Sequence, residues 1–396
     1  MPHFVEAGLW AVTLAAVATV PALAVPALVG LLVAATARMG WRASWRRLAG
    51  MWPSPLVGAT VVLALAQLPG GNPWPDLFGL LAWGCVLAVI LPNAAGTDVR
   101  HRAAVADGLL IGTLVALAAH IVLAAPELRS WLAGGAARAA GGTPHPNVLA
   151  AAALLASLTL ALIADAAPGL RRGLALAGVA ASLLLLLASG SRAVVLGAAG
   201  GAALWAFVAL LLARGRGNRP PRSAALLVLA LALAAPLVLL GVRDLTLASL
   251  VLADVERAAV MSVALDLAAA RPLLGHGAAP WTSLVAAAEP ALPVGVFAHA
   301  HAVPLHVLVH GGALGLVLAA LLLLSGAHRL APRLASRLGH SVARSGLLGP
   351  LSAAVVGGLG LQALVDLVVV DPVVYVAAGG VVAAIVATLQ RYHPLR

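Results

Sequence analysis

The sequence predicts an all-α integral membrane protein. Of its 396 residues, 62% are hydrophobic and only 9% are charged, whereas a globular domain carries roughly 45–50% apolar and 25% charged residues. The mean hydropathy is +1.05. The apolar residues form runs of about 18–24, the length that an α-helix needs to cross a hydrocarbon layer roughly 30 Å thick. We therefore expect membrane lipids to surround most of the helices.

Twelve membrane-spanning helices are predicted, and eleven are the alternative if the first two apolar runs form one helix. Pro21 and Pro26 interrupt those runs, which together are too long for one comfortable crossing. The chain then divides into nine helices over 1–242, a long loop region on the outer side of the membrane over 243–301 and three helices over 302–396. The predicted spans are 7–20, 22–37, 53–69, 73–92, 103–124, 147–167, 173–189, 193–213, 223–242, 302–326, 348–368 and 373–390.

All 24 basic residues are arginine, and most lie in clusters between the apolar runs. Along the predicted helices every cluster falls on the same side, which the positive-inside rule assigns to the cytoplasm together with both termini. The net charge of +11 therefore reflects topology, and we expect no nucleic-acid partner. The clusters are Arg38, Arg42, Arg46 and Arg47; Arg100 and Arg102; Arg171 and Arg172; Arg214, Arg216, Arg219 and Arg222; Arg329, Arg333, Arg337 and Arg344; Arg391 and Arg396.

Two longer segments, 125–146 and 243–301, fall on the opposite side. The first half of segment 243–301 spaces its charged residues among Leu, Val and Ala, as an amphipathic helix does. We expect this half to lie along the outer membrane interface rather than to cross the membrane. A loop of this length between packed helices is usually functional.

Arginines on this outer side run against the positive-inside bias and are candidates for ligand binding. Arg192 follows a tight polar turn, Ser189-Gly190-Ser191, between two apolar runs. A partner or ligand holds a charge there, or the side chain extends to a lipid phosphate. Arg257 is suited to bidentate phosphate contact, so that two such groups would hold a pyrophosphate. The alternative is an ion pair with Glu256 or Asp254.

Two further outer arginines are weaker candidates for the same role. Arg271 precedes Pro272 and a Gly-x-Gly turn, where it either contacts the ligand or caps a helix end. Arg138 lies in the other outer segment, shortly before the polar turn 143–147. Asn147 either caps the helix that follows this turn, or the turn lines a substrate entrance.

Four histidines, His299, His301, His306 and His310, lie within twelve residues at the start of the tenth span. A metal site is one interpretation, but no nearby carboxylate or thiol completes the ligand shell, and the single cysteine, Cys85, lies in a distant apolar run. We therefore predict no metal. A neutral imidazole at His301 is suited to take a proton from a hydroxyl. For His306 and His310 we predict structural hydrogen bonds.

Glycines within the apolar runs predict close helix packing. Gly197, Gly200 and Gly201 lie in the eighth predicted span, where small residues let two helix backbones approach each other. We assign them no chemical role.

Three motifs in the chain resemble the O-antigen ligase family of bacterial inner-membrane glycosyltransferases. The family's histidine motif is a His, a polar residue, nine positions and Gly-x-x-Gly, to which His301, Ala302, Gly312 and Gly315 are similar. At Ala302 the family usually has Asn, Ser or Gln. An Arg-helix-Pro-x-x-Gly-x-Gly stretch is similar to Arg257 followed by 272–277. A Ser-Gly-Ser-Arg turn that opens a helix matches 189–192.

The resemblance implies a GT-C-like fold and transfer of a glycan from undecaprenyl pyrophosphate to a hydroxyl of lipid A-core. The reaction would take place on the periplasmic face of a Gram-negative inner membrane. His301 would then be the general base of an inverting transfer, while Arg192 and Arg257 bind the pyrophosphate. Arg271, His299 and Arg138 are possible additional contacts. No cofactor is expected.

Several alternatives remain open at this point. An O-antigen polymerase shares the fold and donor but uses a second lipid-linked glycan as acceptor, and a protein O-oligosaccharyltransferase belongs to the same wider group. A membrane transporter would show inverted repeats and broken helices that meet at the bilayer midplane. The concentration of informative residues on one face favours the transferase.

Overall fold

The computed structural model describes residues 8–15, 24–51, 99–134, 138–143, 145–215, 247–277, 279, 281–289, 300, 302–321, 348–365, 374, 377, 381 and 384. These residues are helical apart from short turns, and no strand occurs among them. The all-α prediction is therefore confirmed for this part of the chain.

Twelve helical segments are described, and seven of them correspond closely to predicted spans. They are α1 (8–15), α2 (Ala24–Met39), α3 (Trp41–Met51), α4 (Val99–Leu123), α5 (Ala125–Leu132), α6 (Pro146–Ala166), α7 (Gly169–Ala188), α8 (Arg192–Gly215), α9 (Leu247–Ala270), α10 (Trp281–Ala288), α11 (Val303–Leu321) and α12 (Leu348–Val365).

Four of the described helices are long and apolar enough to cross a membrane: Arg100–Leu123, Pro146–Ala166, Gly169–Ala188 and Val303–Leu321. The membrane-protein prediction is thus supported by individual helices as well as by composition. The predicted spans 53–69, 73–92 and 223–242 lie outside the described residues, so the count of twelve stays a prediction.

Helix α6 forms the centre of the larger group of helices. It packs on α4, α7, α8 and α12, and nearly all of its residues from Asn147 to Ala164 are buried. An apolar helix with no polar face is suited to such a position. Its two internal hydroxyls, Ser157 and Thr159, donate to the carbonyls of Leu154 and Leu155 within the same helix. These two hydroxyls therefore have hydrogen-bond acceptors within α6 itself.

Helices α8 and α12 cross at unusually short range through glycine. A methyl group added at Gly197 or Gly201 would collide with the backbone carbonyls of Gly357 or Ala353. The predicted close packing is confirmed at these two glycines. At Gly200 it is not, because an added methyl group there would meet nothing within 4 Å.

Contacts between helix ends place three of the arginine clusters at one end of this group. Arg38, at the end of α2, lies beside the buried ring of His101 in the first turn of α4, with Nη1 2.6 Å from Nε2. Arg171, at the start of α7, donates to Asp107 of α4 at 3.0 Å. The predicted alternation of helices requires this shared end. Its location in the cytoplasm stays a prediction.

Helices α9, α10 and α11 share a second apolar core. The buried residues of α9 recur with helical spacing on one face, and they belong to one cluster with residues of α10 and of the start of α11. The opposite face of α9 exposes Met261 and Leu265 beside Ser262 and Asp266. The cluster consists of Val260, Val263, Ala264, Leu267, Ala268, Trp281, Val285, Ala300, Ala302, Leu305 and Val309.

Candidate functional site

The predicted site residues fall at two places in the structure. Arg192 is the first residue of α8, and Arg257 lies within α9. Their side chains, and all atoms of His299 and His301, lie outside what the structure describes. Arg138 and Arg271 are described, and both side chains are exposed.

Arg138 binds the turn that precedes Arg192. Its Nε donates to the carbonyl oxygen of Ser189 at 3.0 Å, and its Nη2 donates to Oδ1 of Asn147 at 2.9 Å. The next residue, Ala139, donates its amide to the carbonyl of Ala188 at 3.0 Å. We call this arrangement of Arg138, Asn147 and residues 189–191 the Arg138 clamp.

The turn 189–191 has the polar, tight form that the sequence predicts. Gly190 has a φ of +61°, in the left-handed region that favours glycine, and an added methyl group there would lie 3.2 Å from Cγ and Nε of Arg138. The buried hydroxyl of Ser189 donates to the carbonyl of Leu186 at 2.6 Å and accepts the amide of Ser191 at 3.2 Å. Side chain, backbone and Arg138 together fix the point at which α8 begins.

The segment that carries Arg138 is itself held against the end of α4. The buried ring of His120 donates from Nδ1 to the carbonyl of Gly141 at 2.6 Å. Gly141 and Gly142 both have positive φ values, +56° and +79°, and an added methyl group on either would press on His120 or Leu123. Segment 138–143 therefore packs closely against this end of α4.

The prediction that Asn147 caps α6 is wrong. The N-cap is His145, whose Nδ1 accepts the backbone amide of Asn147 at 3.1 Å. Asn147 lies one position inside the helix, and its side-chain oxygen accepts from Arg138 instead. Sequence reasoning missed this because histidine is not among the residues usually preferred as a cap.

A second arrangement joins the segment after α9 to the middle of α11. In an uninterrupted helix the amides of Ala313 and Leu314 would donate to the carbonyls of Val309 and His310. Here those two amides donate to the carbonyls of Pro272 and Leu273, at 2.8 and 3.2 Å. The two carbonyls accept the amides of His276 and Gly277 instead, at 2.8 and 2.9 Å. We call this exchange between 272–277 and 309–314 the interlock.

Glycine makes the interlock possible. Gly312 breaks α11 with a φ of +61°, while Gly275 and Gly277 have φ values of +69° and +71°. An added methyl group on Gly275 would lie 2.5 Å from the carbonyl carbon of His310, and one on Gly312 would collide with Leu273. The Pro-x-x-Gly-x-Gly stretch and the first glycine of the histidine motif thus contact each other directly.

Two histidines reinforce the interlock through backbone carbonyls. Nε2 of His276 donates to Leu267 at 2.8 Å, and Nδ1 of His310 donates to Gly277 at 2.8 Å. The predicted structural role is confirmed for His310, whereas sequence reasoning did not single out His276. The ring of His306 lies 4.4 Å from that of His310 and 6.3 Å from that of Trp281, between centroids, and is tilted to both, by 57° and 48°.

The interlock fixes the direction of α9 relative to α11. The end of α9 meets the middle of α11, and the buried face of α9 shares a cluster with residues 300–309. The two helices therefore run parallel, and Val260 belongs to the same cluster as Ala300 and Ala302. Arg257 precedes Val260 by three residues, about one helical turn, and Ala300 and Ala302 flank His301 in the sequence.

The position of α9 along the outer membrane interface stays a prediction. Gly312 lies nine residues into the 19-residue candidate span Val303–Leu321, about 14 Å from its start. Residues 260–277 accompany α11 to that depth. Non-helical backbone is tolerated at membrane depth where its polar groups are paired, and the interlock supplies four such pairs.

Arg271 closes the end of α9 through its backbone. Its amide donates to the carbonyl of Leu267 at 3.4 Å, and its carbonyl accepts the amide of Gly275 at 3.0 Å. The helix-end interpretation of Arg271 is therefore supported, and a role in ligand binding stays a prediction. The meeting of Arg192 with Arg257 and His301 in one site also stays a prediction.

Residues 177–320 match a family model described as O-antigen ligase. The matched range extends from α7 to α11 and contains Arg192, Arg257 and His301. It also contains the turn 189–191 and both halves of the interlock. No curated protein matches the chain.

Proposed function

From the match of residues 177–320 to the O-antigen ligase family model, we propose that this chain transfers a glycan from undecaprenyl pyrophosphate to a hydroxyl of lipid A-core. The reaction takes place on the periplasmic face of the bacterial inner membrane. It proceeds with inversion at the anomeric carbon and without a divalent cation.

In this proposal His301 takes the proton of the acceptor hydroxyl, and the hydroxyl oxygen attacks the anomeric carbon of the donor sugar. The bond between that carbon and the phosphate oxygen breaks on the opposite face, and undecaprenyl pyrophosphate leaves with the bonding electrons. Negative charge on the leaving group grows during this step. Arg192 and Arg257 therefore contribute most in the transition state, where their attraction to that charge is strongest.

The single observation that carries the proposal is the joining of two motifs by the interlock. It pairs the glycine stretch that follows Arg257 with the glycine that follows His301. The resulting parallel packing brings the helix of Arg257 to Ala300 and Ala302, the sequence neighbours of His301. This packing supports the proposal that Arg257 and His301 contribute to one site at the start of α11.

The start of α8 supports the role of Arg192. Arg192 is the first residue of α8, and the amides of the first helical turn carry partial positive charge that favours an anion. The Arg138 clamp fixes this turn at the end of the helix group opposite to Arg100, Arg102 and Arg171. A pyrophosphate bound there would meet a guanidinium and a helix N-terminus together.

Among the described residues, the break in α11 is a feature that a transporter would share. In a transporter the freed backbone groups at such a break bind the transported ion or substrate. Here the carbonyls of Val309 and His310 and the amides of Ala313 and Leu314 are all bonded to 272–277. The break therefore builds structure rather than an ion site, which favours the transferase.

Reconstitution of the purified chain with undecaprenyl-pyrophosphate glycan and lipid A-core tests the proposal. We expect wild-type protein to form the ligated product, and His301→Ala and Arg192→Ala to lose it by about a hundredfold or more. Arg129→Ala is the matched control, because Arg129 is an exposed arginine of α5 outside the proposed site. Ligation at the wild-type rate by both site variants would contradict the roles assigned to His301 and Arg192. Product formed only with a second lipid-linked glycan would identify a polymerase.

A further inference from the structure

We propose that Arg138 is a positioning residue, which holds the turn 189–191 and thereby aims Arg192 at the pyrophosphate. The inference rests on the proposed function. It assigns Arg138 a different task from direct contact with the ligand, because the structure shows its guanidinium bound to the protein itself.

The Arg138 clamp joins the segment before α6 to the turn between α7 and α8, which is distant in sequence. Arg138 lies 51 residues from Ser189 and nine from Asn147, and one guanidinium bonds to both. Both acceptors are neutral, so the positive charge of Arg138 is not cancelled by them. Bonds from a charged donor are shorter and stronger than bonds between neutral groups.

Arginine is the side chain suited to this task. Its planar group presents several N–H donors in fixed directions, whereas lysine presents one compact charge on a flexible stem. The stem of Arg138 lies flat over Gly190, with Cγ and Nε 3.2 Å from the position of an added methyl group. The fit therefore depends on glycine at 190 as much as on arginine at 138.

The turn and the α8–α12 crossing together fix the first turn of α8. The amide of Val195 donates to the carbonyl of Ser191 at 3.0 Å, so α8 starts directly from the clamped turn. Gly197, five residues after Arg192, packs against the backbone of Gly357. Release of the clamp would free only the short stretch between these two points, and Arg192 lies in that stretch.

A double-mutant cycle tests the inference. We expect Arg138→Gln to lower kcat/KM of glycan transfer by about ten- to a hundredfold, the cost of a misplaced transition-state contact. In an Arg192→Lys background the same substitution should cost less than about threefold, because the residue that it positions is already altered. If Arg138 instead contacted pyrophosphate directly, the two losses would multiply, and that result would overturn the inference.

Asn147→Ala provides a second variant that leaves the arginine charge in place. The positioning role predicts a partial loss of activity that again shrinks in the Arg192→Lys background, whereas a direct contact predicts wild-type activity. Arg129→Gln is the matched control, since it removes an exposed arginine from the same end of the bundle without touching the turn. We expect it to be unchanged in both backgrounds.

Amide hydrogen exchange separates this inference from the proposed function, because it needs no substrate. We expect Arg138→Gln to speed exchange at residues 191–195 by about tenfold or more while exchange at the centre of α6 stays unchanged. Arg129→Gln should change neither. Unaltered exchange at 191–195 would overturn the positioning role. A wild-type chain that forms no product would instead refute the transferase.

Discussion

Arg138 and Arg171 show two ways in which an arginine at a helix end is held. Arg171 pairs with the carboxylate of Asp107, and with side chains 53% and 34% exposed such a pair contributes about 0–1 kcal/mol. Arg138 bonds instead to a backbone carbonyl and a side-chain amide, which are both neutral acceptors. The two arginines therefore differ in the kind of group to which they donate.

Positive charge supplied by arginine leads to a prediction about metal ions. We expect glycan transfer by the purified protein to be unchanged, within about twofold, after treatment with a chelator and removal of divalent cations, because guanidinium groups replace the metal as the partner of the leaving pyrophosphate. The measurement is product formation with and without EDTA. Activity that disappears with EDTA and returns with Mg²⁺ would contradict it.

The interlock explains why glycine is needed in both motifs. Without Gly312, the amides of 313 and 314 would return to the carbonyls of 309 and 310, and residues 272–277 would lose four backbone partners. The sequence predicts a turn at 272–277, since Gly and Pro favour such conformations, but it places Gly312 inside the span 302–326. It does not predict that the turn meets the middle of that span, because the residue types do not reveal which backbone groups are hydrogen-bonded to each other.

Substitution of the interlock glycines should affect both stability and activity. We expect Gly275→Ala and Gly312→Ala each to lower the free energy of unfolding by about 2 kcal/mol or more, because a left-handed conformation costs a residue with Cβ roughly 1–2 kcal/mol and the added methyl group overlaps backbone atoms. Glycan transfer should fall with it. Thermal unfolding in detergent and product formation measure the two effects.

Gly173→Ala is the matched control for these variants. Gly173 lies in α7 with nothing within 4 Å of an added methyl group, so this substitution should be neutral or slightly stabilising. Wild-type stability and activity in Gly312→Ala would show that the interlock does not hold α9 to α11.

At the scale of the whole molecule, lipid explains why some features could be predicted and others could not. The predicted spans 147–167 and 173–189 agree with α6 and α7 to within a few residues. They could be predicted because helices can cross a membrane, and a helix that does so requires an apolar run of matching length. Arg192 and Arg257 were singled out because their charge is anomalous on the outer side. The partners of Arg138, and the course of α9 beside α11, depend on tertiary contacts with no signal in composition or spacing.

The α8–α12 crossing offers the last prediction, since it connects the helix of Arg192 to the C-terminal part of the chain. A methyl group at Gly201 would collide with the carbonyl of Ala353, whereas one at Gly200 meets open space on the same helix. We expect Gly201→Ala to lower the free energy of unfolding by about 1–3 kcal/mol through overpacking. Gly200→Ala should raise it slightly, because alanine favours helix over glycine by up to about 1 kcal/mol. Thermal unfolding of both variants in the same detergent decides the matter, and equal effects would mean that α8 and α12 do not cross at Gly201.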